Sequence, residues 1–465
     1  MLLTTLLTLA PVLTAPAPQT ATAAAPQVQR RAGPLRQLLN QGAGSGSGTL
    51  GGSFTTGAGP QVQVTGSRVP GVWQVQLGDP GTGWQESVLL GVPAVPESSA
   101  APLLVMFHGA NVSEWDCYVN TPLFQLALDR GWYVMAPLGA NQLSWGLPYA
   151  QQNVEYALTL FSEALPIDPT RIYAIGFSMG GGFAMSYTAL HQDLSKPRIA
   201  AVVNHTGAVS IANTYYGVLD PSDFENPLLF GGSPTDDPFL YSRSSVVDVA
   251  PGTLVVDPDT DLARNLGHVA VLNQHADFDP LVYLVEQTQA VQTWLSQIPG
   301  MQTFLLTPPF AVHDWTTIDE PTALNFLRTK TLQTPRFGAH RLLADREGSW
   351  FHFYVYQDTP GDFTALDWDW DPVFGRLALE HSRNLARVVV DTQSLSLDTS
   401  QQVDIVIQTS DGSSEVTTLT GYASPPQQVL RNGTPTTAWS WDPVGETLTL
   451  TESFPIAGPV WRIQP

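Results

Sequence analysis

The chain has 465 residues, which is enough for two or three domains, and its 43% hydrophobic content is typical of a globular protein. Only 13% of the residues are charged, and the formal net charge is −21. Nucleic acids and anionic membranes bind positive surfaces, so this charge argues against both as partners. The single cysteine, Cys117, excludes an intramolecular disulfide and a cysteine-based zinc site.

Residues 1–25 predict a secretory signal peptide, and therefore a secreted or extracytoplasmic protein. The apolar stretch Leu2–Leu13 is followed by small residues with two Ala-x-Ala spacings. The first basic residue is Arg30, so a disordered apolar tail is the alternative. Residues 26–66 are rich in Gly, Ser, Ala, Gln and Thr, and this composition predicts a flexible linker.

Residues 67–334 predict a catalytic domain of the α/β class, because short apolar runs alternate with longer helix-compatible segments. Several runs are apolar throughout, as in a parallel sheet that is covered on both faces. The eight strand candidates read "VWQVQL", "SVLLGV", "PLLVMF", "WYVMAPL", "RIYAIGF", "AAVVNH", "HVAVLN" and "TFLLTP". We expect a doubly wound, mostly parallel sheet.

The stretch "RIYAIGFSMGGGFAM" places Ser178 in a Gly-x-Ser-x-Gly frame between a predicted strand and a predicted helix. Small residues two positions before and after the serine let such a turn close and expose the hydroxyl oxygen. The helix N-terminus also supplies positive potential and the free N–H of Met179. The context favours a nucleophile over a surface serine in a glycine-rich turn.

The stretch "PLLVMFHGA" ends the third predicted strand and suggests an oxyanion hole. The glycine after His108 lets the backbone turn over the nucleophile, so the Ala110 N–H is a candidate donor beside that of Met179. His108 precedes the serine in the chain, and we expect it to brace this loop rather than act as the base.

Residues 211–266 form an unusually long connection between two predicted strands. The segment is rich in aromatic side chains. It predicts either a cap over a pocket or an excursion packed on the core, and the sequence does not separate the two.

A serine nucleophile needs a base and an orienting acid, which follow it in the order acid, then histidine, in a doubly wound hydrolase sheet. The loop after the seventh run offers Asp277 and Asp279. Asp277 is preferred, because Asp279 directly precedes Pro280 and could cap the next helix. His313 follows the eighth run and is the expected base.

Residues 335–465 predict a separate, sandwich-like all-β domain, because helix patterns largely vanish and short β-rich runs follow. Asp411–Gly412 and Asn432–Gly433 are hairpin signals. Four tryptophans in this region could stack on a sugar or polymer, although core packing is the preferred interpretation. They are Trp368, Trp370, Trp439 and Trp441.

The motifs "PLLVMFHGA", "DRGWYVMAP", "PIDPTRIYAIGFSMGGGFAM", "LNQHADFDPLV" and "HDW" resemble the α/β-hydrolase superfamily. More narrowly, they are similar to secreted esterases grouped with polyhydroxybutyrate depolymerases and feruloyl or acetylxylan esterases. The resemblance covers about half of the chain. It implies Ser178 as nucleophile, Asp277 as acid and His313 as base, with a pocket above the sheet and no metal or organic cofactor.

The expected activity is hydrolysis of carboxylic esters through an acyl-enzyme, with a substrate that is small or polymeric. A prolyl-oligopeptidase-like peptidase is one alternative, although no propeller-like repeat precedes the catalytic part. The second alternative is an inactive hydrolase scaffold that binds a polymer or glycan. The oligomeric state is left open.

Overall fold

The computed structural model describes residues 51–55, 61–66, 71–78, 85–411, 416–451 and 458–465. The predicted signal peptide at 1–25 and the first part of the predicted linker, 26–50, lie outside the described residues. Within the described ranges, no helix combines the length and apolar character needed to cross a bilayer.

The N-terminal α/β region is built on a ten-stranded sheet, in the order β1-β2-β3-β4-β6-β5-β7-β8-β9-β10. The strands from β5 onward run parallel to their neighbours, whereas β1 to β4 form an antiparallel edge that pairs antiparallel with β6. The strands are β1 (Gly51–Thr55), β2 (Gln61–Gly66), β3 (Val72–Gly78), β4 (Gln85–Gly91), β5 (Ala101–Phe107), β6 (Tyr133–Pro137), β7 (Ile167–Phe177), β8 (Ala201–His205), β9 (Ala270–Gln274) and β10 (Thr303–Leu306).

All eight predicted strands are confirmed, as β3 to β10. The linker prediction is wrong at its end, because β1 and β2 lie within 26–66 and extend the sheet by pairing with β3. β1 reads GGSFT and β2 reads QVQVTG, so neither has the continuous apolar run that marked the other strands. Their pairing depends on β3, a partner that local composition does not reveal.

The helices cover both faces of the sheet. Along β5, Leu103 and Val105 join the core that includes the helices at 148–164 and 179–190, while Leu104 and Met106 join the core that includes the helices at 123–129 and 320–328. This alternation confirms the doubly wound architecture. The helices are α1 (Asp116–Val119), α2 (Leu123–Asp129), α3 (Pro148–Ala164), α4 (Met179–Leu190), α5 (Ile211–Gly217), α6 (Ser222–Glu225), α7 (Pro238–Ser244), α8 (Val282–Leu295), α9 (Glu320–Arg328) and α10 (Thr392–Leu395).

The β-rich C-terminal region is confirmed as two sheets, in the orders β11-β14-β15-β17-β23-β19-β20 and β12-β13-β16-β18-β22-β21. Buried side chains from both sheets share one core. The strands are β11 (Gly338–Ala344), β12 (Gly348–Trp350), β13 (Phe353–Gln357), β14 (Thr364–Asp371), β15 (Arg376–Arg383), β16 (Leu385–Val390), β17 (Val403–Thr409), β18 (Val416–Leu419), β19 (Gln428–Arg431), β20 (Thr434–Pro435), β21 (Trp439–Asp442), β22 (Thr447–Thr451) and β23 (Val460–Gln464).

One of the two hairpin signals in this region is confirmed. Asn432 and Gly433 both have positive φ, 51° and 78°, and connect the antiparallel strands β19 and β20. The signal at Asp411–Gly412 is wrong, because β17 and β18 belong to different sheets, and Gly412 lies outside the described residues. Trp368 and Trp370 are buried, so these two are core residues as preferred. Trp439 and Trp441 are partly buried against the same core.

The β domain is fastened to the catalytic domain by buried polar contacts. The Asn265 amide donates to the carbonyl oxygens of Ala189 and Leu343, at 3.1 and 2.8 Å, and accepts from the Leu343 N–H. The buried Asp345 carboxylate pairs with Arg243 and Arg346. Buried apolar side chains of the α/β region and of the β-rich region also belong to one cluster. The two regions therefore share a continuous core.

Candidate active site

Ser178 lies at the sharp turn between β7 and α4, with φ 55° and ψ −122°. Such a conformation costs a non-glycine residue about 1–3 kcal/mol and persists only where the surroundings impose it. The Ser178 N–H donates to the His205 carbonyl oxygen at 3.0 Å, and the Ser178 carbonyl accepts from Ala208 at the same distance. Hydrogen bonds to β8 and to the segment after β8 therefore hold the turn in place.

The glycines around Ser178 permit backbone approaches that no side chain would allow. A Cβ at Gly176 would lie 2.0 Å from the Gly180 carbonyl oxygen, and one at Gly180 would lie 2.2 Å from that of Phe107. Gly182 is just as crowded, because its Cβ would meet the Ala208 carbonyl oxygen at 1.8 Å. The Gly-x-Ser-x-Gly frame is thus a packing requirement of this turn.

His313 forms its hydrogen bond with Asp279 and not with Asp277. The His313 Nδ1 atom lies 2.7 Å from Asp279 Oδ2, and the Asp279 side chain is fully buried. The other oxygen, Oδ1, accepts from the Leu281 N–H at 2.8 Å. One carboxylate therefore caps the approach to α8 and still has an oxygen for the histidine.

This geometry corrects the preference for Asp277. The Asp277 carboxylate is exposed and accepts from the Ala311 N–H at 2.9 Å, while the Phe278 N–H donates to the Ala311 carbonyl oxygen. Asp277 thus joins the loop that carries Asp279 to the loop that carries His313. The expected capping role of Asp279 is real, but it occupies only one of the two carboxylate oxygens.

Phe177, the residue before Ser178, connects the two halves of the site. Its ring centroid lies 4.5 Å from that of His313, 5.0 Å from that of His205 and 5.3 Å from that of Trp315. Burial lowers the pKa of His205 to about 3, so its ring stays neutral and serves as a packing partner. In the described part of the chain, no hydrogen bond joins the Ser178 hydroxyl to His313, and such bonds are often long without substrate.

The two candidate oxyanion donors lie close to Ser178, one in the residue after it and the other in the residue after Gly109. Gly109 packs beside Ser178, with an added Cβ 3.9 Å from the serine Cβ, so Ala110 follows directly at the site. Among the described residues, neither the Ala110 N–H nor the Met179 N–H donates to a protein acceptor. His108 braces this loop, as expected, with its ring nitrogens 2.7 and 2.9 Å from the carbonyl oxygens of Gly109 and Leu138.

A buried carboxylate behind the oxyanion loop escaped the sequence interpretation. Glu86 on β4 accepts from the N–H groups of Gly139 and Ala140, at 2.8 and 2.6 Å, and from the Asn153 amide. Burial raises its pKa to about 7, although these hydrogen bonds oppose the rise. Glu86 therefore fixes the loop after β6, whose Leu138 carbonyl contacts His108. The sequence feature that could have indicated its role is a glutamate at the start of a strand that is otherwise mostly apolar.

The 211–266 connection packs against the nucleophile turn and contains α5 to α7. Trp145 contacts Met179 through a backbone N–H···Sδ approach of 3.4 Å and packs against Phe224 in a tilted arrangement, with ring centroids 4.8 Å apart. Ala110 is partly buried against the same group. We call this group the cap cluster; its buried members are Trp145, Leu147, Met179, Ala208, Ile211, Phe224, Phe230, Tyr241 and Leu284. The connection thus forms an apolar wall beside the candidate oxyanion hole.

The described residues contain no group of three or more His, Cys, Asp or Glu side chains arranged to hold a metal ion. The chemistry that can be built from this site is that of a serine, a carboxylate-paired histidine and backbone N–H donors.

No protein-family model matches the chain. Among curated proteins, it is similar to "Putative esterase NocK" from Nocardia uniformis subsp. tsuyamanensis, with 29% identity over 151 residues. That match covers 28% of this chain and 43% of the relative, so it spans less than half of the relative's length.

Several solved hydrolase structures are similar at low identity. An S-formylglutathione hydrolase from Agrobacterium tumefaciens is 12% identical, with a TM-score of 0.42, over 60% of this chain and 98% of its own. A ferulic acid esterase is 18% identical, with a TM-score of 0.39, over 56% of this chain and 96% of its own. Similarity of this degree establishes neither activity nor substrate.

The chain's own architecture defines its class. The sheet is doubly wound and parallel from β5 onward, a serine sits on a strained turn between β7 and α4, and a carboxylate-paired histidine follows β10. Together these features define the α/β-hydrolase fold.

Proposed function

We propose that this protein is a carboxylic ester hydrolase that uses Ser178 as nucleophile, His313 as general base and Asp279 as the orienting acid. The observation that carries the proposal is the strained Ser178 turn, whose preceding residue, Phe177, packs on the imidazole that is bonded to Asp279. The similarity to a protein named as an esterase supports the reaction class.

The reaction begins when His313 Nε2 takes the proton of the Ser178 hydroxyl as the serine oxygen attacks the ester carbonyl carbon. Asp279 holds the imidazole through Nδ1 and stabilises its charged form. The negative oxygen of the tetrahedral intermediate accepts hydrogen bonds from the Ala110 and Met179 N–H groups. The imidazolium then protonates the leaving alcohol, and water cleaves the acyl-enzyme by the same route.

The finer proposal is an exported enzyme that acts on polyester or on plant-polysaccharide-linked esters. Its support is the apolar leader with Ala-x-Ala spacing and the motif resemblance to secreted esterases of these substrates. Mass spectrometry of the N-terminus of the protein released into the medium tests export, and assays on polyester films and acetylated or feruloylated xylan test the polymer.

The first test is hydrolysis of p-nitrophenyl acetate, butyrate and octanoate. We expect Ser178→Ala to reduce turnover by a factor of about 10⁴ or more, because the nucleophile is lost. The matched control is Ser186→Ala on the same helix, where the hydroxyl only donates to the Phe183 carbonyl oxygen. This control should retain turnover.

Folded wild-type protein without Ser178-dependent turnover on any of the three esters would contradict the proposal. Cleavage of peptide substrates would then indicate the peptidase alternative. Polymer or glycan binding that Ser178→Ala leaves unchanged, with no turnover, would indicate the inactive scaffold.

A further inference from the structure

Two exposed phenylalanines lie on the loops that carry the acid and the base. Phe278 directly precedes Asp279 and is 61% exposed, while Phe310 lies three residues before His313 and is 85% exposed. Their rings are stacked, with centroids 5.9 Å apart and planes 12° from parallel. We call these two residues the rim pair.

The backbone holds the rim pair at some cost to folding. Phe310 has φ 57°, in the left-handed region that is unfavourable for a bulky residue. The Phe278 N–H donates to the carbonyl oxygen of Ala311, the residue after Phe310, and the Ala311 N–H donates to Asp277. Because these bonds join the two loops at the rim pair itself, the backbone of both phenylalanines is held beside Asp279 and His313.

The apolar surface continues along the same two loops. Val282 and Val312 are each more than half exposed and lie within three residues of Asp279 or His313. The ionisable neighbours exposed on these loops are carboxylates, Asp277 and Asp314. A group that binds here is therefore expected to be apolar and without negative charge.

The proposed reaction defines which part of an ester can reach this surface. His313 must lie beside the leaving alcohol oxygen, because it donates the proton that releases it. The Ala110 and Met179 N–H groups bind the carbonyl oxygen, and the cap cluster lies on their side of the site. We infer that the rim pair binds an apolar alcohol portion of the ester, whereas the cap cluster faces the acyl portion. This inference rests on the proposed function.

The test keeps the acyl group constant and changes the alcohol. For the wild-type protein, kcat/KM is measured by pH-stat for methyl, hexyl and benzyl acetate, and then for the double variant Phe278→Ser/Phe310→Ser. We expect wild type to prefer hexyl and benzyl over methyl acetate, and the double variant to lose about tenfold of that preference. The ratio of methyl butyrate to methyl acetate should not change, because it reports the acyl side.

The matched control is Phe374→Ser, which replaces an equally exposed phenylalanine, 78% exposed, in the β domain. It should leave every ratio at the wild-type value, and thermal unfolding of all variants should show that they fold. Equal alcohol preference in the double variant and the control would overturn the inference while leaving the esterase proposal intact. Loss of acyl preference together with alcohol preference would also overturn it. Absence of any Ser178-dependent ester hydrolysis overturns both proposals.

Discussion

The Ser178 turn and the loops that carry Asp279 and His313 meet at the candidate active site but are built differently. Around Ser178, backbone packs directly on backbone, and three glycines leave no space for a side chain. Around Asp279 and His313, two surface loops are joined by a few hydrogen bonds and carry exposed rings. The first region tolerates little change, whereas the second can vary in its exposed residues without disturbing the core.

This difference separates two requirements of catalysis. The attacking oxygen and its N–H donors must be held rigidly, because a misplacement of about 1 Å can cost a hundredfold in rate. The leaving group varies with the substrate, so the loops beside it are where specificity can change. Substitutions in the Ser178 turn and in the two loops test whether the two regions differ in this way.

The largest expected effect separates the two aspartates of the acid loop. Asp279→Asn should lower kcat by a factor of about 10⁴, or about 5 kcal/mol of barrier, because the amide no longer stabilises the imidazolium or selects its tautomer. Asp277→Asn should change kcat by less than about threefold, since an amide oxygen can still accept from the Ala311 N–H. Both are measured on p-nitrophenyl acetate. The reverse order of effects would restore Asp277 as the acid.

On the nucleophile side, Gly182→Ala should destabilise the protein by about 3 kcal/mol or more. The new Cβ would lie 1.8 Å from the Ala208 carbonyl oxygen, and backbone cannot rotate away as a side chain can. Gly267→Ala is the control, because its φ is −53° and its closest neighbour would be 3.4 Å away, so a change below about 1 kcal/mol is expected. Denaturant unfolding measures both, and equal stabilities would show that the turn can relax.

Local patterns in the sequence are enough to predict Ser178 and His313 as candidate site residues. Ser178 follows from a strand, a glycine frame and a helix start within one short segment, and His313 from its place after the last strand. The choice between Asp277 and Asp279 could not be predicted, because it depends on which carboxylate joins the loops and which turns inward. Glu86 was missed for a similar reason, since its partners lie more than fifty residues away in the chain.

A pH dependence of stability is expected from Glu86, which is buried behind the loop that carries His108. Glu86 has a folded-state pKa of about 7, above its ordinary value of 4.5. Between these values the folded protein holds a proton that the unfolded chain has lost. The free energy of unfolding should therefore fall by about 1.4 kcal/mol per pH unit from this group, about 3 kcal/mol in all, and level off above pH 7.

Denaturant unfolding of wild type and Glu86→Gln at pH 5, 6, 7 and 8 isolates this contribution, because every other group titrates in both proteins. The variant should lack the additional fall between pH 5 and 7, whatever its absolute stability, since its amide does not ionise. Glu286→Gln, on the half-exposed face of α8, is the matched variant that removes one glutamate carboxylate elsewhere in the protein. If the free energy of unfolding changed with pH equally in wild type and Glu86→Gln, the Glu86 carboxylate would be solvated in the folded protein. The region around Glu86 would then be less rigid than its packing indicates.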